Sequence, residues 1–234
     1  MHVKQEKKRY NWLPDFVYGG IDGAVTTFAV VAGVEGASLS VPVILILGFA
    51  NVFADGFSMA TGKYLSDKTN QEQYQKIRSR ERAHIEKNIQ HRDEELDRII
   101  SSYGFTGNEL ASAKKVFQAN PDALVDLIMR NEYNMTQENI NPEKGAAATF
   151  ISFILIGFIP LIAYVFKPLF QFDEGQQFFA TIIATLGALF IVGTIKSRFT
   201  ERHWTVSGTE TALIGGIAAS IAYLVGFLLQ GLAP

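Results

Sequence analysis

The chain consists of long apolar stretches interrupted by one long polar stretch. Crossing the hydrocarbon core of a bilayer takes a helix of about 20 apolar residues. Five stretches meet this requirement, at residues 15–36, 41–65, 145–166, 176–196 and 210–232. The pattern therefore predicts an all-α membrane protein with five transmembrane helices per subunit.

The polar stretch at 66–144 predicts a helical insert between the second and third spans. Its segment 70–103 lacks proline and is rich in helix-forming residues, which favours one long helix continuing out of the second span. A capping box that begins at Thr106 and an Asn120–Pro121 pair predict the starts of a second and a third helix. The predicted domains are 1–65 with the first two spans, the three-helix insert 66–144, and 145–234 with the last three spans.

Basic residues near the span ends predict the orientation, because Lys and Arg concentrate on the cytoplasmic side. Four of them precede the first span, at positions 4, 7, 8 and 9. Lys196, Arg198 and Arg202 lie between the fourth and fifth spans, whereas Lys167 alone lies between the third and fourth. We expect a multi-pass integral membrane protein with a cytoplasmic N-terminus and insert and with its C-terminus outside.

Composition narrows the function classes. The chain has no cysteine, which excludes a disulfide framework, a cysteine zinc site and a thiol nucleophile. Its net charge of −2 offers no basic excess for a nucleic-acid partner. No phosphate-binding loop, nucleophile–base pair or His-Glu-x-x-His motif occurs, so neither an enzyme nor a bound cofactor is predicted.

Four polar or sulfur-bearing side chains within the first two spans are candidates for a transport path. An acid inside a bilayer costs roughly 2.5–3.5 kcal/mol and is by default a functional candidate. Asp22 lies in the first span, and Asn51, Asp55 and Met59 follow one another at four-residue spacing on one face of the second. Carboxylates with a thioether can hold a transition-metal ion, and a carboxylate can bind a proton. The alternative is that both aspartates only bond to neighbouring helices or reach water.

The insert contains a second group of candidate metal ligands. Met129 and Glu132 are three residues apart on the third predicted helix. Five further residues share one face of the first predicted helix if that helix is unbroken: Glu81, His84, Asn88, His91 and Glu95. Imidazole, carboxylate and thioether groups favour transition metals over magnesium or calcium. The alternative is an ordinary solvated face.

Small residues cluster in the first and fifth spans, at Gly19, Gly20 and Gly23 and at Gly215 and Gly216. Small residues allow helix backbones to approach each other in lipid. They predict either packing within one bundle or a contact between two subunits.

The chain resembles the vacuolar iron transporter family, which has plant, fungal and bacterial members. The resemblance rests on DFVYGGIDGAVTTFAVVAGV at 15–34, GFSMATGKYL at 56–65, NPDALVDLIMRNE at 120–132 and GFIPL at 157–161. It implies a homodimer of five-span subunits, with the path at the dimer interface and a cytoplasmic three-helix metal-binding domain. The implied activity is export of ferrous iron from the cytoplasm in exchange for protons.

Residue by residue, the resemblance implies roles for Asp22 and Met59 in translocation. It implies metal binding in the insert by Glu81, Glu95, Met129 and Glu132. The chain departs from the family pattern where glutamates or a methionine are usual, at Asn11, Asn51, His84, Arg92 and Ile128. Fewer carboxylates weaken the attraction for a dication and remove proton carriers.

The sequence thus predicts a divalent-metal exporter with Fe²⁺ and protons as partners, and with manganese, cobalt or zinc as further cargo. The membrane would be a bacterial inner membrane, or a vacuolar membrane in a eukaryote. The alternative function is a membrane-anchored metal sensor or store, in which the insert binds metal and the spans only anchor it.

Overall fold

The computed structural model describes residues 10–87, 93–137, 139–170 and 172–232, apart from the side chains of Phe170 and Glu174. Every regular element within these residues is a helix. The helices are α1 Leu13–Gly36, α2 Val41–Lys87, α3 Asp93–Ser102, α4 Gly107–Gln118, α5 Pro121–Asn131, α6 Pro142–Gly157, α7 Ile162–Val165, α8 Lys167–Phe170, α9 Glu174–Lys196 and α10 Trp204–Leu229. Short 3₁₀ turns at Ile159–Leu161, Ser197–Phe199 and Gln230–Leu232 connect or end them.

Five of these helical segments are long and apolar enough to cross a membrane, which confirms the five predicted spans. They are Leu13–Gly36, Val41–Lys87, Pro142–Val165, Gly175–Phe199 and Trp204–Leu232. The third span is α6 continued through a 3₁₀ turn into α7, because Pro160 lacks the amide hydrogen that a regular α-helix would use there.

The fourth and fifth spans begin at side-chain caps. Asp173 and Gln176 form a capping box at the start of α9. The His203 ring accepts a hydrogen bond from the Thr205 amide, so α10 begins at Trp204, six residues before the predicted start at Glu210. The apolar run marks the part of the helix inside the membrane, whereas the cap marks where the helix begins.

The contacts divide the chain into two compact units, one formed by 1–65 and 141–234 and the other by 66–140. In the first unit, glycines allow α1 to pack directly on the backbone of α6. A Cβ added at Gly19 would lie 2.5 Å from the Thr149 carbonyl oxygen, and one at Gly23 would lie 2.5 Å from the Phe153 carbonyl oxygen. Gly20 and Gly215 likewise face side chains of their own subunit. Packing within one bundle is therefore confirmed for these glycines.

The second unit consists of the end of α2 with α3, α4 and α5 around its own apolar core. The core contains Ile85, Leu96, Ile99, Ile100, Leu124, Val125, Ile128 and Met129. The expectation of a single helix over 70–103 cannot be followed through positions 88–92, which lie outside the described residues; on either side α2 ends at Lys87 and α3 begins at Asp93. Leu96, Ile99 and Ile100 give α3 an apolar face of its own, which it buries in this core.

Candidate functional site

Side chains of α1 and α2 meet in a regular antiparallel register. Lys63 forms an ion pair with Asp15 at 3.2 Å, and the Thr27 hydroxyl donates to the Asn51 side-chain oxygen at 3.2 Å. Between these two pairs, the carboxylates of Asp22 and Asp55 lie close enough to interact electrostatically. Each advance along α1 is matched by an equal step back along α2, as in two antiparallel helices side by side. The predicted path residues of the two helices therefore face each other.

Asp55 is held by a neutral partner. The Asn51 amide donates to the Asp55 carboxylate while its oxygen accepts the hydrogen bond from Thr27. The two residues are one turn apart on α2, so the prediction that they share one face of this helix is confirmed. Asn51 orients the carboxylate and links it to α1, yet adds no charge that would offset that of Asp55.

Asp22 lies half-buried in the middle of α1. The hydroxyl of Thr26 bonds to the backbone oxygen of Asp22 at 2.8 Å, so it does not hold the carboxylate. Tyr18, one turn earlier, is 64% exposed. This face of α1 is thus open at the surface of a single subunit, next to two carboxylates.

Met59 lies one turn beyond Asp55 on α2 and is half-buried. The register of the other pairs places it level with Gly19, whose own packing contact is with the third span. We refer to the region between α1 and α2 that contains Asp22, Asp55 and Met59 as the groove. Two carboxylates and a thioether suit a borderline transition-metal ion better than a hard cation.

Asn11 lies just before α1, outside this groove. It is exposed, and its side-chain oxygen accepts a hydrogen bond from the Leu13 amide at 3.2 Å. The neighbouring Tyr10 hydroxyl donates to Asp15. In this structure Asn11 helps to start the helix, because it satisfies one of the amides that a helix leaves free at its N-terminus.

In the insert, Glu81 is a buried carboxylate among polar neighbours. It is 1% exposed and accepts a hydrogen bond from the Tyr133 hydroxyl at 2.8 Å. Arg80 lies 3.4 Å from its carboxylate, and the His84 ring lies 3.8 Å away. Glu81 and His84 are thus brought together as their spacing predicts.

The other candidate ligands of the insert are placed differently. Glu132 pairs with Arg98, and Met129 is buried in the apolar core. Glu95 is half-buried on α3, while Asn88, His91 and Arg92 lie outside the described residues. In the part of the chain that the structure describes, no three His, Asp or Glu side chains are grouped so as to hold a metal ion.

Reasoning from the sequence missed an acid at the other end of α1. Glu35 accepts a hydrogen bond of 2.7 Å from the Tyr164 hydroxyl of the third span. The signal was available, since Glu35 interrupts an apolar stretch as Asp22 does. Thr27, which links α1 to Asn51, gave no such signal, because a threonine is common in a membrane helix.

Comparison with known proteins agrees with the resemblance seen in the sequence. A family model described as the VIT family matches residues 13–227. The chain is 32% identical to vacuolar iron transporter 1 of Arabidopsis thaliana, over 92% of this chain and 85% of that protein. It is 33% identical to the vacuolar iron transporter of Centaurea cyanus, over 89% and 84% of the two chains. The vacuolar iron transporter of Plasmodium berghei (strain Anka) is 29% identical, over 98% and 86%. The chain therefore belongs to the VIT family.

Proposed function

We propose that this protein is not an enzyme but a transporter that exports ferrous iron from the cytoplasm in exchange for protons, using Asp22 and Met59. The observation that carries the proposal is the facing register of α1 and α2, which brings the carboxylates of Asp22 and Asp55 near each other between two membrane helices. The names of its relatives support iron as the cargo. Similar ligand sets also bind manganese, cobalt and zinc, so these ions are proposed as secondary cargo.

The groove can couple the two ions through one carboxylate pair. Two nearby carboxylates in an apolar bundle repel each other unless a dication or a proton lies between them. Fe²⁺ bound between Asp22 and Asp55 offsets both charges, with Met59 as a further ligand. Protonation of Asp22 from the far side removes one of these charges and releases the metal. Metal and proton thus compete for the same oxygen atoms.

The exposure of the groove favours a homodimer with the path at its interface. Asp22 is half-buried within one subunit and Tyr18 beside it is exposed, although a carboxylate facing lipid costs roughly 2.5–3.5 kcal/mol. A second copy packed on this face removes the carboxylates from lipid and contributes its own Asp22 and Met59. Only 22% of the most apolar part of α2 is buried, against 56% for α1, which leaves α2 free for that contact.

The cytoplasmic insert is proposed to capture the cargo before transport. Glu81, His84, Glu95, Met129 and Glu132 supply its ligands, with His91 as a further donor. Arg80 and Arg98 occupy the carboxylates of Glu81 and Glu132 in the structure, so Fe²⁺ binding would displace these arginines. The membrane is proposed to be a bacterial inner membrane or a vacuolar membrane, with the N-terminus cytoplasmic and the C-terminus outside.

The proposal is tested with purified protein in sealed liposomes that contain a metal-quenched dye or a pH dye. Fe²⁺ is added under anaerobic conditions, followed in separate samples by Mn²⁺, Co²⁺ and Zn²⁺. Entry of metal with opposite movement of protons, lost in Asp22→Asn, is the expected result. Glu210→Gln is the matched control, because Glu210 pairs with Arg202 near the start of α10, away from the groove.

Other outcomes distinguish the alternatives. Metal entry without proton movement would make the protein a uniporter or channel. Absence of flux, together with saturable metal binding that is lost in Glu81→Gln, would make it a membrane-anchored sensor or store. Normal exchange in Asp22→Asn would contradict the proposed groove.

A further inference from the structure

The C-terminal end of α1 contributes to a second polar cluster, which is separate from the groove. Glu35 lies in the last turn of α1 and accepts a hydrogen bond from Tyr164 at 2.7 Å. The Tyr164 hydroxyl also contacts the Thr181 side chain of α9. The Thr181 hydroxyl in turn lies 3.3 Å from the Pro160 carbonyl oxygen. Three spans therefore contribute to one polar cluster around a single carboxylate.

A row of buried polar side chains on α9 continues from this cluster. Gln177, Thr181 and Thr185 recur every four residues, which places them on one face of the helix. They are 0%, 1% and 0% exposed. Among the described residues, no hydrogen-bond partner is found for the side-chain oxygen and nitrogen of Gln177 or for the hydroxyl of Thr185. Because a buried polar group without a partner costs about 1–3 kcal/mol, such groups are normally satisfied by internal water.

We propose that Glu35, Tyr164, Gln177 and Thr181 form a hydrated proton-binding site through which protons enter the bundle from the side opposite the cytoplasm. This inference rests on the proposed exchange of metal for protons and identifies where the proton is first bound. A hydronium ion gives its proton to a Glu35 carboxylate oxygen and leaves as water. The carboxyl group then passes the proton to a water held by Gln177 and Thr181, and becomes a carboxylate again.

The composition of the cluster fits a proton better than a metal ion. Among the described residues of the cluster, Glu35 supplies the one carboxylate. Tyr164 and Thr181 supply neutral hydroxyl groups. A single carboxylate can bind one proton, whereas transition metals are usually held by several charged or imidazole ligands. Tyr164 is a positioning residue: its hydroxyl donates to the carboxylate and can rotate to accept from the carboxyl group.

The row on α9 covers much of the distance to the metal groove. Glu35 lies thirteen positions after Asp22 on α1, which corresponds to about 20 Å of helix. Thr185 lies eight positions, or about 12 Å, after Gln177, and the row continues inward from the same end of the bundle. Hydroxyl and amide groups along this row can hold the water molecules that a proton needs in order to move.

Few other titratable groups surround Glu35. Tyr164 faces it from the third span, and Tyr223 of the fifth span packs its backbone on Gly36 while its ring stacks on Phe178. Lys167 and the exposed Asp173 lie in the connection that follows the third span. The response of the cluster to pH is therefore assigned to Glu35 itself.

The test varies the pH on the Glu35 side alone. Fe²⁺ is supplied outside sealed liposomes and the lumen is acidified, so uptake reports the molecules whose Glu35 end faces the lumen. Glu35→Gln should slow proton movement roughly 100-fold, the scale of a lost acid–base group, and should abolish the dependence on lumen pH. The half-saturating Fe²⁺ concentration should stay unchanged, because the metal groove is intact.

Tyr164→Phe should weaken the dependence on lumen pH while transport continues, because the carboxylate loses the hydroxyl group that positions it. Tyr223→Phe is its matched control and should change nothing. If Glu35→Gln keeps the full response to lumen pH, the proton site is overturned and the proposed transport function stands. A changed Fe²⁺ half-saturation with an unchanged pH response would overturn it too, since Glu35 would then bind metal.

If the wild-type protein carries no Fe²⁺, the transport proposal fails and the site is judged by infrared spectroscopy. A carboxyl C=O band that appears on acidification and is lost in Glu35→Gln supports a proton-binding site. Persistence of the same band in that variant overturns it.

Discussion

The two units of the molecule treat their acidic side chains differently. In the insert, acids pair with bases: Arg98 with Glu132, Arg78 with Asp126, and Lys114 with Asp97. In the membrane unit, Asp55 is held by Asn51 and Glu35 by Tyr164, which are neutral. A charged pair in that unit occurs between Asp15, in the first turn of α1, and Lys63 of α2.

This contrast in partners determines what each set of carboxylates can do. A base that pairs with an acid offsets its charge, so a metal ion has to compete with that base. A neutral donor orients a carboxylate and leaves its negative charge available to a cation. The carboxylates of the membrane unit therefore meet a requirement of the proposed ion exchange, whereas those of the insert link helices through ion pairs.

Removing one membrane carboxylate should have the largest effect. We expect Asp22→Asn to reduce initial Fe²⁺ uptake into liposomes about 100-fold, since a charge-assisted interaction of about 3 kcal/mol is lost. Glu132→Gln in the insert should reduce uptake only a few-fold. Equal losses in the two variants would remove the distinction between the units.

Removing a neutral partner should have the next largest effect. Asn51→Ala deletes the hydrogen bonds to Thr27 and Asp55, so uptake should fall about tenfold for a loss near 1.4 kcal/mol. Asn131→Ala in the insert is the matched control, since Asn131 also bonds on both sides, to Tyr103 and to Leu127. Uptake by the control should stay near the wild-type rate.

Removing a base from the insert should strengthen metal binding there. Arg98→Gln frees the Glu132 carboxylate, so the affinity for Fe²⁺ should rise about fivefold, as expected for an exposed ion pair of up to 1 kcal/mol. Calorimetric titration in an Asp22→Asn background isolates the insert. Arg82→Gln, which frees Glu86 and removes one of the two arginines beside Asp122, should leave the affinity unchanged. A lower affinity in Arg98→Gln would show that the arginine supports the site.

The smallest effect should come from pH acting on a pair in the insert. The hydrogen bond to Asp97, with Asp93 nearby, raises the pKa of Lys114 above its ordinary value. The stabilisation is therefore complete below the pKa of the unfolded chain, about 10.4, and is lost as the pH rises through the higher folded value.

Lys114→Met should accordingly destabilise α4 by about 0.5 kcal/mol at neutral pH and low salt. Urea denaturation followed by circular dichroism measures this difference, which should vanish in strongly alkaline buffer. A difference that persists there would mean that the methylene groups of Lys114, and not its charge, stabilise the helix.

Much of the fold follows from the sequence, because apolar runs and glycine positions are local features. The five spans are confirmed in this way, and the start of α10 differs because a cap at His203 extends the helix beyond its apolar run. The burial of Leu96, Ile99 and Ile100 depends on the rest of the insert's core, which lies elsewhere in the sequence.

The candidate groove could be predicted only in part. An acid in an apolar helix points to Asp22 and Asp55 by composition alone. That Thr27 meets Asn51, or that Tyr164 meets Glu35 from 129 residues away, depends on how helices pack, and spacing along one helix does not contain that information. The burial of Met129 likewise depends on the rest of the insert's core. The spacing of Met129 from Glu132 predicts that they share a helix face, but it does not predict which residues surround that face.

The glycine contacts of α1 have a mechanical consequence. Backbone meets backbone where Gly19 and Gly23 pack on the third span, and again where Gly33 packs on Gly226 of the fifth. Backbones in such close contact cannot slide past one another, so α1 is held in place within its subunit. Across the groove, α2 contacts the polar face of α1 through side chains that can change rotamer. Any widening or narrowing of the groove during a transport cycle should therefore come from displacement of α2, with Asp22 as the stationary reference point.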